Sequence, residues 1–314
     1  MSTLDGAQAQ VALAEPRTKR RRPRFRSGGS NWWRHLVAWI AIAFALFPVA
    51  YILSASINAD NSLGGATLIP RSVTLDHFRT VLSGEVTTTG GTSEAPYLRW
   101  YANTMIVAGG TAVLTILLGA LAAYAFSRFR FRGRRLGLVF LLLIQMFPQF
   151  LALVAIYLII LRTGDVFAVL GLNTLTALIV VYLGGALGLN VWLMKGFFDT
   201  IPSELDESAR VDGATPAQVF WGVVLPLAAP VLAVIGLISF VSTLNEFVIA
   251  SVLLQTTEHF TLPVGMRGYI DKEYAERWGP FAAGVMLAAI PAAVLFAFLQ
   301  KFIVQGLTQG SVKG

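Results

Sequence analysis

The chain has 314 residues, 55% of them hydrophobic and only 13% charged, with a formal net charge of +7. That balance is far from a soluble domain, and the absence of cysteine excludes disulfides, thiolate catalysis and cysteine-ligated metals. The histidines, His35, His77 and His259, are scattered without ligand spacing, and neither a Gly-x-x-x-x-Gly-Lys-Ser/Thr phosphate loop nor a Ser/His/Asp constellation occurs. The expectation is a chain that is not itself an enzyme, with no catalytic site and no metal site.

In chain order, residues 1–31 read as a disordered basic cytoplasmic tail. Its basic run, 19–26, suits a surface of anionic lipid better than nucleic acid, the other reading of such a run. About 35 residues precede the first apolar stretch and no small-residue site closes it, so a cleaved signal peptide is not expected. The remainder, 32–314, reads as one transmembrane domain. A hydrocarbon core of about 30 Å needs roughly 20 helical residues per crossing. The stretches 36–57, 104–126, 136–161, 172–194, 227–254 and 279–304 reach that length. No alternating ten-residue pattern points to a β-barrel. The predicted fold is therefore an all-α polytopic membrane protein with six transmembrane helices.

Between these helices, the first outer loop, 58–99, is long and holds Gly64-Gly65 and Gly90-Gly91. The second, 162–171, is short, and the third spans 255–278. Pro148, in Gln145-Met146-Phe147-Pro148, is predicted to kink the third helix, and Gly184, Gly185 and Gly188 to let the fourth approach a neighbour closely. An N-terminus inside places Arg17, Lys19, Arg20, Arg21, Arg22, Arg24, Arg26 and Arg34 in the cytoplasm. The same assignment adds Arg128, Arg130, Arg132, Arg134, Arg135, Lys195, Arg210, Lys301 and Lys313, leaving a minority of the 24 basic residues outside. Both termini are thus expected in the cytoplasm. There is no internal repeat at a fixed period, which disfavours transporters built from inverted repeats.

The inner loop 195–226 is polar, with Asp199, Glu204, Asp206, Glu207 and Asp212. Ser203 is read as the N-cap of a helix whose first turn carries acidic residues, where the helix dipole favours them. Gly213 suits a left-handed C′ position, and Thr215-Pro216 restart a helix as N-cap and N1. The result is a helix–Gly–helix elbow entering the membrane at Pro226. Ser208 and Ala209 are small, and are expected to let the first helix bring its backbone close to a partner. The pattern is Glu207-Ser208-Ala209, three residues, Gly213, nine residues, then Val223-Val224-Leu225-Pro226. It resembles the cytoplasmic loop that joins the channel of ABC importer permeases to their ATPase, with Ser208 and Val223 as mild departures. The resemblance implies a coupling role for Glu207, Ser208, Ala209, Asp212, Gly213, Leu225 and Pro226.

Further stretches are similar to the MalG-type permeases of maltose/maltodextrin importers. They are Gln145-Met146-Phe147-Pro148, Gly171-Leu172-Asn173-Thr174, Tyr182-Leu183-Gly184-Gly185, Asp212-Gly213-Ala214-Thr215-Pro216 and Gly306-Leu307-Thr308 with Val312-Lys313-Gly314. This resemblance implies a type I importer permease fold in the bacterial cytoplasmic membrane and half of a translocation pathway. The implied partners are a homologous second permease, two ABC ATPase subunits and an extracytoplasmic sugar-binding protein, besides membrane lipid. ATP and Mg would sit on the ATPase subunits, leaving this chain without a cofactor, and the sugar contacts would lie mainly in the companion permease. The cargo would be maltose, maltodextrin, trehalose or a related α-glucoside.

Two polar features remain. Glu246, beside Asn245, is the acidic residue set well inside an apolar stretch; such carboxylates face a cavity or a partner, while a snorkelling role stays open. In the outer loop, Trp278 and Tyr274 suit an interfacial aromatic belt. Gln255, Thr256, Thr257, Glu258, His259, Phe260 and Thr261 form a polar segment that, by the same resemblance, would reach into the sugar site of a docked binding protein. The competing readings are an ion-coupled secondary transporter, supported only by Glu246, and a membrane-embedded enzyme, for which no constellation speaks.

Overall fold

The computed structural model describes residues 32–59, 69–70, 72–88, 91–270 and 277–309. The basic tail, Tyr274, and Val312-Lys313-Gly314 lie outside the described residues. The first unit ends at Pro48 and the second begins at Val49. Helix α1 (Trp32–Ile57) runs through that boundary. Next come α2 (Asp76–Ser83) and a hairpin of β1 (Glu85–Thr88) and β2 (Gly91–Glu94), paired antiparallel with Glu85 opposite Glu94. Among the described residues, this hairpin and an isolated antiparallel bridge between Asn58 and Val73 are the departures from an all-helical chain. The rest is helical: α3 (Tyr97–Arg128), α4 (Arg134–Met146), α5 (Gln149–Val166), α6 (Leu175–Phe198), α7 (Ser203–Val211), α8 (Pro216–Val219), α9 (Leu225–Leu244), α10 (Val248–Leu253), α11 (Leu262–Met266) and α12 (Trp278–Gln309).

Among the described residues, five helices are long and apolar enough to cross a membrane, and α4 with α5 make a sixth if the bent pair is counted as one span. The expected kink at Pro148 is a full break, with the two segments bent by 106°. Proline removes a backbone donor and drives the residue before it out of the helical region; Phe147 is accordingly extended, at φ −75°, ψ 126°. The fifth span differs more from the sequence reading. It is continuous from Pro216 to Leu244, whereas 227–254 was expected. A π-helical turn, Phe220–Val224, joins α8 to α9 immediately before Pro226, where a wider turn absorbs the ring and its missing donor. At the other end the helix stops at Leu244, and 248–253 belong to the separate α10.

The core is built on α3. Its Ala120, Ala123 and Tyr124 pack with Met194 and Phe198 of α6 and with Phe220, Val224, Ala228 and Ile235 of the α8–α9 arm. Small residues on α3 admit close helix approach, which in lipid is driven by van der Waals packing more than by hydrophobic transfer. Nearer the other end, Val107 meets Ala177, Leu178 and Tyr182 of α6 and Ile249, Ala250 and Leu253 of α10. Beyond that, Tyr97 and Trp100 pack with Leu262 and Met266 of α11, Tyr269, and Ala283 of α12. Of the predicted glycine contacts, Gly188 is real: a Cβ there would stand 2.9 Å from the Leu141 carbonyl of α4. Gly184 has nothing within 4 Å, so its smallness opens space instead of closing it.

Candidate functional site

The elbow forms as a sequence of local devices. Helix α7 starts at Ser203 itself, with Pro202 at the N-cap and no side-chain cap. The expected Ser203 cap is therefore absent, because Pro202 occupies that place with its φ already fixed near −55°. Glu204 and Asp206 stand in the first turn and Arg210 in the last, each on the end the dipole favours. At the far end, Gly213 has φ +87°. Its N–H donates to Arg210 O at 3.0 Å, and Ala214 N–H donates to Ala209 O at 2.9 Å. These are the two bonds of a Schellman stop. Thr215 then caps α8 in a reciprocal box: Gln218 N–H donates to Thr215 Oγ1 at 3.3 Å, and Thr215 N–H to Gln218 Oε1 at 2.8 Å.

The elbow has two sides. Leu205, Glu207, Ser208, Val211, Asp212 and Gly213 are exposed, Val211 at 87%. Ala209 turns inward and packs with Leu225 against the core of α3, α6 and α9. Ala209 thus stands half-buried, apart from the exposed Ser208 beside it. Pro226 is exposed on the α9 side of the π turn. Asp206 also faces inward, where Arg128 Nε lies 2.7 Å from its Oδ2. Arg128 Nη2 donates to Ile201 O at 2.9 Å. Beside this pair, Ser127 Oγ donates to Asp199 Oδ1 at 2.7 Å, and Lys195 pairs with the same carboxylate. Partial burial works against ionisation of Asp199. The hydrogen bonds from Lys195 and Ser127 prevail and hold its carboxyl below the usual carboxylate range.

Within the membrane region, a cavity of 760 Å³ has Gln145, Tyr182, Asn190, Ser239, Thr243 and Glu246 among its lining. Glu246 sits in the break between α9 and α10. Its Oε1 accepts from Ile249 N–H at 2.8 Å and its Oε2 from Ala250 N–H at 3.1 Å. The Tyr182 hydroxyl donates to Oε2 as well. A carboxylate on the free N–H groups that open a helix is doubly favoured, by hydrogen bonding and by the dipole. Asn245 does not join it. Its side chain donates to Val241 O at 2.8 Å, and the residue lines a different, largely apolar cavity with Leu262, Met266 and Phe281.

The outer segment is a short tied turn. Gln255, Thr256, Thr257 and Glu258 are exposed, His259 and Phe260 are half-buried, and Thr261 is buried. From α3, Trp100 Nε1 donates to Thr257 O at 2.7 Å, and Asn103 Nδ2 donates to Glu258 O and Phe260 O, each at 2.9 Å. Thr104 Oγ1 accepts from Leu262 N–H at 2.7 Å. A residue without a role in the sequence reading completes the clasp. Asn173, at φ +62°, accepts through Oδ1 from Gln255 N–H at 3.0 Å and Thr256 N–H at 3.1 Å, and its own N–H donates to Leu253 O at 2.8 Å. The signal for it was present in Gly171-Leu172-Asn173, since asparagine tolerates the left-handed region better than other residues with a Cβ.

Residues 115–309 match the family model described as binding-protein-dependent transport system inner membrane component. The chain belongs to that family. As such a component it is a multi-pass permease subunit of the bacterial inner membrane, and its relatives cover nearly its whole length. It is 41% identical over 287 residues to the maltose/maltodextrin transport system permease protein MalG of Vibrio parahaemolyticus, covering 90% of this chain and 96% of that one. It is 39% identical over 279 residues to the galactooligosaccharides transport system permease protein GanQ of Bacillus subtilis, covering 89% and 94%. Among solved structures, a bacterial ABC transporter that imports the acidic polysaccharide alginate matches with a TM-score of 0.70 at 25% identity, covering 86% of this chain and 95% of that one. The importer permease fold and the MalG-type resemblance both hold.

Proposed function

We propose that this permease forms half of the translocation pathway of an ATP-driven oligosaccharide importer and is coupled to its ATPase subunits through the α7–α8 elbow. The reading is carried by similarity along 89–90% of the chain, at 39–41% identity, to permeases named for sugar transport systems. One is named for maltose and maltodextrin and the other for galactooligosaccharides, at almost equal identity, so the class of cargo follows and a single sugar does not. A second homologous permease completes the channel, two ATPase subunits hold ATP and Mg, and an extracytoplasmic binding protein delivers the sugar. The elbow supports the coupling role because its exposed face, with Leu205, Glu207, Ser208 and Val211, combines acidic and apolar groups on a helix fixed at both ends. The excess of arginine and lysine on the same side of the helices favours the cytoplasm for that face. The exposed tip 255–258 is then outside, held by α3 and Asn173 where a binding protein would dock. The ion-coupled reading loses its support, since Glu246 already has both oxygens engaged by Tyr182 and the start of α10.

The test is assembly with function. The tagged chain, co-expressed with the companion permease and the ATPase, is purified and its ATP hydrolysis measured with and without sugar-loaded binding protein. Stoichiometric capture of the ATPase, with hydrolysis stimulated by the loaded binding protein, is the expected result. A chain that purifies without an ATPase subunit sinks the reading.

A further inference from the structure

We infer that the buried Arg128–Asp206 ion pair is the positioning joint by which movement of the elbow is passed to the membrane helices. The inference rests on the coupling role proposed for α7 and concerns residues that face away from its exposed side. Their side chains are only 10% and 4% exposed. Among the described residues, the Asp206 carboxylate has no hydrogen-bond partner beyond this ion pair. If α7 moved without Arg128, it would strand a buried carboxylate with nothing to compensate it. Removing one member of a buried pair is strongly unfavourable, because it leaves an uncompensated buried charge. The two residues must therefore travel together.

Arg128 is also well placed to transmit. It is the last residue of α3, where its charge complements the helix dipole. Its guanidinium holds the middle of α7 through Asp206 and the entry to α7 through Ile201 O, so it fixes the helix at two points. Ser127, Asp199 and Lys195 bind the same end of α3 to the end of α6. At its other end, α3 holds the outer turn through Trp100 and Asn103. Trp100 to Arg128 is about 42 Å of continuous helix at 1.5 Å per residue. No proline interrupts it. One rigid element thus touches the elbow at one end and the outer turn at the other, and the ion pair is its only buried charged contact with α7 among the described residues.

The experiment uses the full assembled complex and reads two quantities: the ATPase complement of the purified complex, and the ratio of hydrolysis with sugar-loaded binding protein to hydrolysis without it. Asp206→Asn, which keeps the shape and removes the charge, is expected to retain the ATPase complement and lower the ratio roughly tenfold, within the range of allosteric couplings. Asp206→Glu is expected to stay within about twofold of the parent chain, because the charge-assisted contact survives. Should Asp206→Asn fail to assemble, the double variant Arg128→Met with Asp206→Leu strands no charge and carries the test. A normal complement with a collapsed ratio supports the joint. A parent-like ratio in Asp206→Asn or in the double variant overturns it. If the unsubstituted complex shows no stimulation, the proposed coupling itself falls, and the joint with it.

Discussion

Gly213 offers the sharpest perturbation of the elbow. It sits at φ +87°, and a Cβ built there meets no atom within 4 Å. Substitution therefore acts through backbone strain and not through a clash within the chain. Holding a residue with a Cβ in the left-handed region costs about 1–2 kcal/mol, and up to about 3 kcal/mol at strained positions. Asparagine suffers least and a β-branched side chain most. The Schellman bonds from Gly213 N–H and Ala214 N–H form only in that conformation, so the strain falls directly on the angle between α7 and α8. A loss of about 1–3 kcal/mol reduces the population of the docked elbow roughly five- to 150-fold. The assay is hydrolysis by the assembled complex with saturating loaded binding protein, for Gly213→Asn, Gly213→Ala and Gly213→Val. The expected order of retained stimulation is Gly, then Asn, Ala and Val, with insertion in the membrane unchanged. Equal losses in all three variants, or full activity in Gly213→Val, would refute the strain argument.

Two further perturbations address the other polar groups. Glu246→Gln keeps one side-chain oxygen to accept from Ile249 N–H or Ala250 N–H, which Glu246 accepts through separate oxygens, whereas Glu246→Leu leaves both unsatisfied, at about 1–3 kcal/mol for each such group. Sugar uptake and thermal stability of the complex are expected to fall much further in Glu246→Leu, and equal behaviour of the two variants would remove Glu246 from the account. Asn173→Gly retains access to φ +62° but loses the side-chain clasp on Gln255 and Thr256, while Asn173→Ala loses both. Proteolytic cleavage within 255–259 of the assembled complex is expected to rise in the order parent, Asn173→Gly, Asn173→Ala, and an unchanged rate in Asn173→Ala would show that the turn does not depend on this residue.

What was legible in the sequence follows the range of the forces involved. Gly213, Thr215 and Pro216 were read correctly because a Schellman stop and a capping box involve residues within five positions of one another. The break at Pro148 was placed correctly for the same reason, though its 106° bend was not. The fifth span was misjudged because hydropathy runs on through Phe247 to Leu254, while the helix ends where Glu246 turns its carboxylate to the N–H groups of α10. Hydropathy measures transfer to lipid and is blind to a helix that stops and restarts. The inward turn of Ala209, and the pairing of Asp206 with Arg128 from another helix, depend on how α7 lies against α3. No local pattern encodes that geometry. Asn173 lies between: its conformation was hinted by its residue type, its partners 82 and 83 positions onward were not.

The central claim is that this permease moves oligosaccharide at the expense of ATP hydrolysed by subunits seated on its elbow. It is tested most directly by uptake of labelled maltodextrin and galactooligosaccharide into proteoliposomes holding the whole complex, with loaded binding protein outside and ATP inside. The account predicts uptake of at least one of these sugars that requires both ATP and the binding protein and persists when ionophores collapse every ion gradient. Uptake that continues without ATP and ceases with the ionophores would contradict it.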